Sequence, residues 1–140
     1  MKSYATLIRL HKFRVDERQR VLSRLAAARR QLEEEIERLD RQLEDEKSGA
    51  ASVEGGAALY AAFAGGVKAR RGELEKSIAG LDGEAAAAQA ALQEAYRELK
   101  KYEHLEALKV AEQKRQAKRR EAAEMDEIAS RQSAARGRAT

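Results

Sequence analysis

The residues of this sequence that are most able to bind a metal or take part in catalysis are two histidines and two acidic runs. His11 and His104 have no third ligand at a suitable spacing, and the chain contains no cysteine. A zinc site, a disulfide and a cysteine nucleophile are therefore not expected. We interpret each histidine as an ordinary surface or packing residue, because an isolated histidine is a weak indication of a ligand.

The acidic runs span residues 33–37 and 44–46. Consecutive residues of a helix point to different faces, so these carboxylates cannot converge on one reacting atom. We interpret them as solvated helix faces. The glycine pairs at 55–56 and 65–66 match neither of the common phosphate-binding loops. The sequence therefore predicts a protein that is not an enzyme, with no metal, cofactor or small-molecule substrate.

The densest basic run of the chain is Lys-Arg-Gln-Ala-Lys-Arg-Arg at residues 114–120. Such a run can bind nucleic acid, an anionic membrane or an acidic protein cavity, or it can be the solvated end of a helix. It follows the regular heptads instead of preceding them, which is the wrong order for a basic leucine zipper. No aromatic residue interrupts it to stack on single-stranded bases.

The overall composition indicates long helices and not a compact globule. The 140 residues are 37% charged and 4% aromatic, and they include no proline and no tryptophan. Chains dominated by Ala, Glu, Lys, Leu and Arg are typical of coiled coils, and one interior proline would cost a helix about 3 kcal/mol. Low hydropathy makes disorder the competing interpretation, but the regular apolar spacing described next argues against it.

Two apolar stripes repeat in steps of three and four residues, as in a coiled coil. The first predicts a helix over 3–47, and only Arg29 interrupts its heptad frame; its members are Leu22, Leu25, Leu32, Ile36, Leu39 and Leu43. The second predicts a helix over 67–130; its members are Leu74, Ile78, Leu81, Ala85, Ala88, Leu92, Ala95, Leu99 and Tyr102. Residues 48–66 hold five of the nine glycines and predict a hinge. Residues 131–140 are expected to fray.

Two stripes joined by a glycine-rich hinge predict an all-α fold, a single coiled-coil domain in which two long helices form an antiparallel hairpin. A parallel homodimer is the alternative, and only the hinge argues against it. Pairing Leu43 with Leu74 gives a register in which facing residue numbers sum to about 117, so that the last ~24 residues extend beyond the first helix. Such a hairpin buries little surface, which favours a partner or a second copy.

Charge is distributed unevenly along the chain. Residues 1–30 carry nine basic and two acidic side chains, residues 31–108 carry ten and seventeen, and residues 109–140 carry nine and five. The hairpin would therefore be basic at its termini and acidic toward its hinge. The charged start of the sequence does not resemble a signal peptide, and no apolar segment is long enough to span a membrane. These features predict a soluble, cytoplasmic protein.

The opening of the chain, Leu-Ile-Arg-Leu-His-Lys-Phe-Arg-Val-Asp-Glu-Arg-Gln-Arg-Val-Leu at residues 7–22, resembles the N-terminus of the flagellar FliJ family. Those proteins begin with a similar Leu-x-x-Leu-x-Lys stretch followed by Asp-Glu and basic residues. The chain length, the two-helix pattern and the basic C-terminal helix are also similar to that family.

This resemblance implies a non-enzymatic component of the flagellar type III export apparatus, similar in fold to the coiled-coil stalk of the rotary ATP synthase gamma subunit. Family members insert into the export ATPase ring, link it to the export gate at the inner membrane and bind export chaperones. By resemblance, the candidate contacts with the ATPase lie in the opening motif and its basic neighbours: Leu7, Arg9, Leu10, Lys12, Phe13 and Arg14.

The hinge end supplies the candidate contacts with the gate or a chaperone: Leu43, Leu59, Tyr60 and Phe63. Two aromatic residues in a flexible segment can form a docking element, or they can cap the end of the hairpin. The rival function is a coiled-coil adaptor that binds nucleic acid or an anionic membrane through the basic terminal end. Phosphate binding of that kind weakens steeply with salt.

Overall fold

Two helices and one short turn make up the described chain. The computed structural model describes residues 3–139, in which α1 spans Ala5–Ala50, α2 spans Gly56–Ala139, and no strand is present. Side chains of α1 contact side chains of α2 far away in the sequence, as Arg29 does with Asp82. The predicted all-α helical hairpin is therefore confirmed.

The helix ends differ from those predicted. The connection is five residues, 51–55, instead of the whole 48–66 segment, and α2 continues through 131–139; Thr140 lies outside the described residues. Six of the eight residues from Ala57 to Ala64 are alanine or leucine, the strongest helix formers, and they offset the cost of the following glycines, about 1 kcal/mol each. Burial of Val67, which is only 6% exposed, adds tertiary support just after them.

The turn needs glycine at two adjacent positions. Gly55 has φ of +72°, a conformation that other residues rarely adopt. A Cβ on Gly56 would collide with the backbone carbonyl of Ala50. The Ser52 hydroxyl donates a hydrogen bond to the carbonyl oxygen of Gly49 at 3.0 Å, which satisfies one acceptor at the end of α1.

The chain divides into two compact units, and the larger one is Phe13–Tyr96. Its core residues on α2 are Val67, Leu74 and Leu92, which are at most 8% exposed. The predicted stripe of α1 is half-buried throughout: Leu22, Leu25, Leu32, Ile36, Leu39 and Leu43. A two-helix core leaves one side of each helix in water, so this pattern is the burial expected for two helices without further cover.

The register differs from the prediction by about one heptad. Arg29 contacts Asp82 and Arg71 contacts Asp40, so the paired residue numbers sum to 111 in both cases, not to the predicted ~117. The prediction assumed a long hinge. The five-residue turn instead allows α2 to begin close to the end of α1.

The second unit contains the described residues before Phe13 and those from Arg97 onward. Its packing is concentrated near the start of α1, where the backbone N–H of Tyr4 donates a hydrogen bond to Oε2 of Glu106 at 3.1 Å. That bond satisfies one of the amides that every helix start leaves unpaired. From residue 113 to residue 138 every side chain is exposed. Met1, which the predicted sum of ~117 would place beside Gln116, lies outside the described residues.

Candidate functional site

Three apolar residues of the opening motif are exposed. Leu7, Leu10 and Phe13 are 38%, 41% and 59% exposed. All three belong to α1, and the spacing of three residues makes Leu10 and Phe13 neighbours on its surface. The packing positions of this part of α1 are instead His11 and Val15, both 5% exposed. Leu7, Leu10 and Phe13 are therefore available to another molecule.

The basic residues beside them are exposed as well. Arg9, Lys12 and Arg14 have no ion pair with any described residue. An unpaired cation on a helix surface keeps its full charge for long-range attraction. The opening of α1 thus combines exposed apolar side chains with three unneutralised positive charges, which suits a partner whose apolar site has an acidic rim.

An aromatic stack holds the start of α1 against α2. The rings of His11 and Tyr102 stack with centroids 4.8 Å apart and planes 18° apart, and Tyr4 lies 6.1 Å from the same tyrosine. The ammonium of Lys101 lies 5.4 Å from the Tyr102 ring centre, within cation–π range. Nδ1 of His11 is buried and has no hydrogen-bond partner among the described residues. His11 is thus a packing residue of the hairpin.

The four candidates at the turn separate into different environments. Leu59, 70% exposed, and Tyr60 line a shallow cleft with Val53 beside the turn. Phe63 lines a second cleft of about 230 Å³ between the helices. Leu43 is half-buried and lines neither cleft. Leu59 and Tyr60 are therefore the pair that a partner can reach together, and they remain candidates for docking.

Arginines connect the two helices in the larger unit. Nε of Arg29 donates to Asp82 at 2.7 Å, and Arg70 donates to Glu35 at 2.8 Å. These hydrogen bonds, together with the charge of the carboxylates, raise the pKa of both guanidinium groups above the ordinary arginine value. Both arginines are half exposed, so each pair contributes little to stability.

The basic run of α2 lies on its solvent-exposed part. Arg115 pairs with Glu112 one turn earlier, and its hydrogen bond lowers the pKa of that carboxyl group. The other four cations of the run form no hydrogen bond or ion pair within residues 3–139: Lys114, Lys118, Arg119 and Arg120.

Residues 3–139 contain neither a cluster of metal ligands nor a helix that could span a membrane. No group of three or more His, Cys, Asp or Glu side chains there is arranged to hold a metal ion. No helix in that range is both long and apolar enough to cross a bilayer.

Sequence reasoning identified the exposed opening motif but missed the two cross-helix features. The stacking of His11 on Tyr102 gave no local signal, because it depends on the register of the hairpin. The reciprocal contacts of Arg29 and Arg71 could have been found by comparing the sequence with itself, since the segments around them are similar.

Comparison with known proteins gives a consistent result along almost the whole chain. Residues 1–138 match the family described as Flagellar FliJ protein. The Flagellar FliJ proteins of two Caulobacter vibrioides strains, NA1000 / CB15N and ATCC 19089 / CIP 103742 / CB 15, are each 34% identical over 136 residues, covering 96% of this chain and 96% of the relative. No solved structure matches the chain significantly.

Proposed function

Because the chain belongs to the FliJ family, we propose that this flagellar export component is a coiled-coil stalk that engages the export ATPase ring through its terminal end. The observation that carries the proposal is the opening of α1. There Leu10 and Phe13 are exposed beside three cations without ion pairs. A stalk for a ring must be narrow, and an antiparallel pair of helices meets that requirement.

In this proposal charge and apolar contact have different roles. Long-range attraction between Arg9, Lys12 and Arg14 and an acidic ring lumen raises the association rate, and apolar contacts slow dissociation once the complex has formed. The basic residues at 114–120 of α2 add to the same attraction. In this proposal its contribution to export is mechanical coupling.

The test is stimulation of ATP hydrolysis by the export ATPase of the same organism. Reversing Arg9, Lys12 and Arg14 to Glu should slow association by about tenfold at low salt and flatten its salt dependence. The matched control reverses Arg24, Arg30 and Arg41, which are also exposed residues of α1 without ion pairs. Stimulation by the first variant equal to wild type at low salt would rule out the terminal end as the inserted one.

Replacing the three apolar residues tests the proposal that apolar contacts slow dissociation from the ATPase. A chain with Leu7, Leu10 and Phe13 changed to Ala should associate at the wild-type rate and dissociate faster, because its charge is unchanged. Helicity should persist, since all three side chains lie outside the buried stripe. A dissociation rate equal to wild type would show that these side chains make no contact with the ATPase.

For the turn end we propose contact with the export gate or an export chaperone through Leu59 and Tyr60. Leu59 is the most exposed large apolar side chain of the described chain, at 70%, and exposed apolar residues at a hairpin tip can dock on a partner. Changing both residues to Ser should abolish capture of the cytoplasmic domain of the gate or of a chaperone. The control changes exposed Met125 and Ile128 to Ser. Capture by the first variant at the wild-type level would exclude this end.

The rival function, binding of nucleic acid or an anionic membrane, draws on the same unpaired cations of α2. A duplex DNA complex would weaken with salt at a slope of about −0.9 for each phosphate neutralised. The ATPase complex should persist at salt concentrations that release DNA, because apolar contacts hold it.

A further inference from the structure

The two helices contain copies of one sequence pattern. Residues 29–40 and 71–82 both read Arg-x-x-Leu-Glu-x-x-Ile-x-x-Leu-Asp, and they are identical at these six of twelve positions. The copies start 42 residues apart, which is six heptads. One copy lies in α1 and the other in α2, so the hairpin places them side by side and antiparallel.

The contacts between the copies are reciprocal. The first arginine of each copy donates a hydrogen bond to the last aspartate of the other: Arg29 to Asp82 at 2.7 Å and Arg71 to Asp40 at 2.7 Å. Each arginine also pairs with the glutamate four residues later in its own helix, Arg29 with Glu33 and Arg71 with Glu75. Mutual contacts of this kind are the signature of an isologous, twofold-symmetric interface, here formed within one chain.

The apolar stripe alone does not distinguish this register from its neighbours. Its members recur every seven residues in both helices, so a slip of one heptad again places apolar residues opposite apolar residues. Arg29 stands in the stripe of α1 between Leu25 and Leu32, and Arg71 takes the corresponding position in α2 between Val67 and Leu74. A polar residue at such a position can specify register in a coiled coil.

The first possible slip moves α2 toward the turn by one heptad. Arg29 would then lie opposite Gln89, and Arg71 would lie opposite Lys47. The two cross-helix pairs of the repeat, Arg29–Asp82 and Arg71–Asp40, are lost, and Arg71 then faces a like charge. This is the register that apolar pairing of Leu43 with Leu74 favours.

The opposite slip moves α2 away from the turn by one heptad, and it places both arginines opposite acidic residues. It would place Arg29 opposite Glu75 and Arg71 opposite Glu33, but both glutamates already pair with an arginine of their own helix. The two aspartates would lose their arginines. Among the three registers, only the observed one gives every charged member of the repeat a partner.

We propose that the repeat is a self-complementary register clamp: Arg29–Asp82 and Arg71–Asp40 select the observed pairing of the helices against slips of one heptad in either direction. This is a property of the chain alone and does not depend on which partner either end binds. A stalk that transmits force along its axis needs a fixed register, because a slip of seven residues displaces one helix by about 10 Å along the other.

The experiment measures the axial offset of the helices by spin-label distance. Because the chain has no cysteine, Gln42→Cys with Ala90→Cys places labels at two exposed positions, one on each helix of the larger unit. A slip changes their axial separation by about 10 Å in either direction. The wild-type background should give a single distance.

The test variant is Asp40→Arg with Asp82→Arg, which places two arginines opposite each other at both ends of the clamp. The ratio of the population at the displaced distance to the population at the native distance should rise by about tenfold or more. The matched control, Asp45→Arg with Glu84→Arg, makes the same change in charge at exposed residues without ion pairs and should keep the single distance. Adding Arg29→Glu and Arg71→Glu to the test variant reverses both pairs and should restore it.

A single wild-type distance in the test variant would overturn the proposal, because the apolar stripe would then suffice. A shift of equal size in the control would also overturn it, since net charge would be the cause. If circular dichroism shows that the test variant has lost its helices, Asp40→Asn with Asp82→Asn removes the pairs without repulsion. A distance distribution of that chain identical to wild type in 0.1 M salt would equally reject the clamp.

Discussion

The two parts of α2 on either side of Glu112 are one continuous helix that is stabilised in two different ways. Before this residue α2 buries Val67, Leu74, Leu92 and Leu99, each at most 8% exposed. From residue 113 to residue 138 every residue is exposed. Helical structure therefore extends well past the residues that have tertiary support, and the difference shows which part of α2 belongs to the hairpin.

The ion pairs also differ between the two parts of α2. In the paired part several of them join different helices, as Arg71 and Asp40 do, beside others within one helix, as Arg71 and Glu75 do. In the exposed part Glu127 and Arg131 pair one turn apart in the same helix. Local pairs of this kind contribute only about 0.2–0.5 kcal/mol each, and an isolated helix is marginal in water. The exposed part of α2 is therefore the part that a partner can reshape or cover at little cost.

The largest expected effect is the loss of a buried side chain in the paired part. Leu74 is 2% exposed, so Leu74→Ala should lower the free energy of unfolding by about 2–4 kcal/mol. Leu32→Ala and Ile36→Ala should cost less, because both are half-buried. Ile128→Ala, at a residue 50% exposed, should change it by less than ~0.5 kcal/mol. Thermal melting followed by circular dichroism measures all four, and an equal loss at Leu74 and Ile128 would contradict the comparison.

A smaller effect of opposite sign is expected at a glycine inside α2. A Cβ at Gly80 would meet no atom, so Gly80→Ala should raise the free energy of unfolding by about 0.5–1 kcal/mol. Gly56→Ala is the matched control and should lower it, because the new methyl group meets the carbonyl of Ala50. Chemical denaturation gives both values. Stabilisation at both glycines would show that the turn is looser than described.

The smallest effect concerns the first residue pair beyond the buried stripe. The hydrogen bond from Arg115 lowers the pKa of Glu112 in the folded chain. The contribution of this pair to the free energy of unfolding is therefore present at pH values above the pKa of Glu112 in the unfolded chain, and it is lost as the pH falls through the pKa of Glu112 in the folded chain. Carboxyl NMR titration should place the Glu112 midpoint below that of an unfolded peptide, and Arg115→Gln should raise it. A midpoint unaffected by that change would mean that the pair does not form in solution.

Much of the fold could be predicted from the sequence because coiled-coil periodicity is a local signal. The stripe from Leu74 to Leu99 lies within α2 as predicted, although α2 extends beyond the predicted 67–130 at both ends, and the opening motif indicated the family. The turn was harder to predict. Glycine weakens a helix only by an average amount, and the sequence alone does not show that burial of Val67 offsets that weakness.

The register could not be predicted from the apolar stripe, because a stripe that repeats every seven residues is satisfied by several registers. The information lies in Arg29, which the sequence analysis treated as an interruption of the stripe, and in Arg71, which it did not consider. Their meaning depends on Asp82 and Asp40, which lie in the opposite helix. The positions that break a regular pattern are thus the ones that make its pairing specific.

Hydrogen exchange of the chain, alone and with the export ATPase ring, tests the central claim that the terminal end is the inserted one. Alone, amides of α2 between Val67 and Leu99 should be protected, and those of residues 113–138 should exchange almost as in a free peptide. With the ring present, protection should appear at residues 7–14 and 114–120 and should leave residues 53–63 unchanged. New protection confined to residues 53–63 would contradict the account, because it would identify the turn as the end that enters the ring.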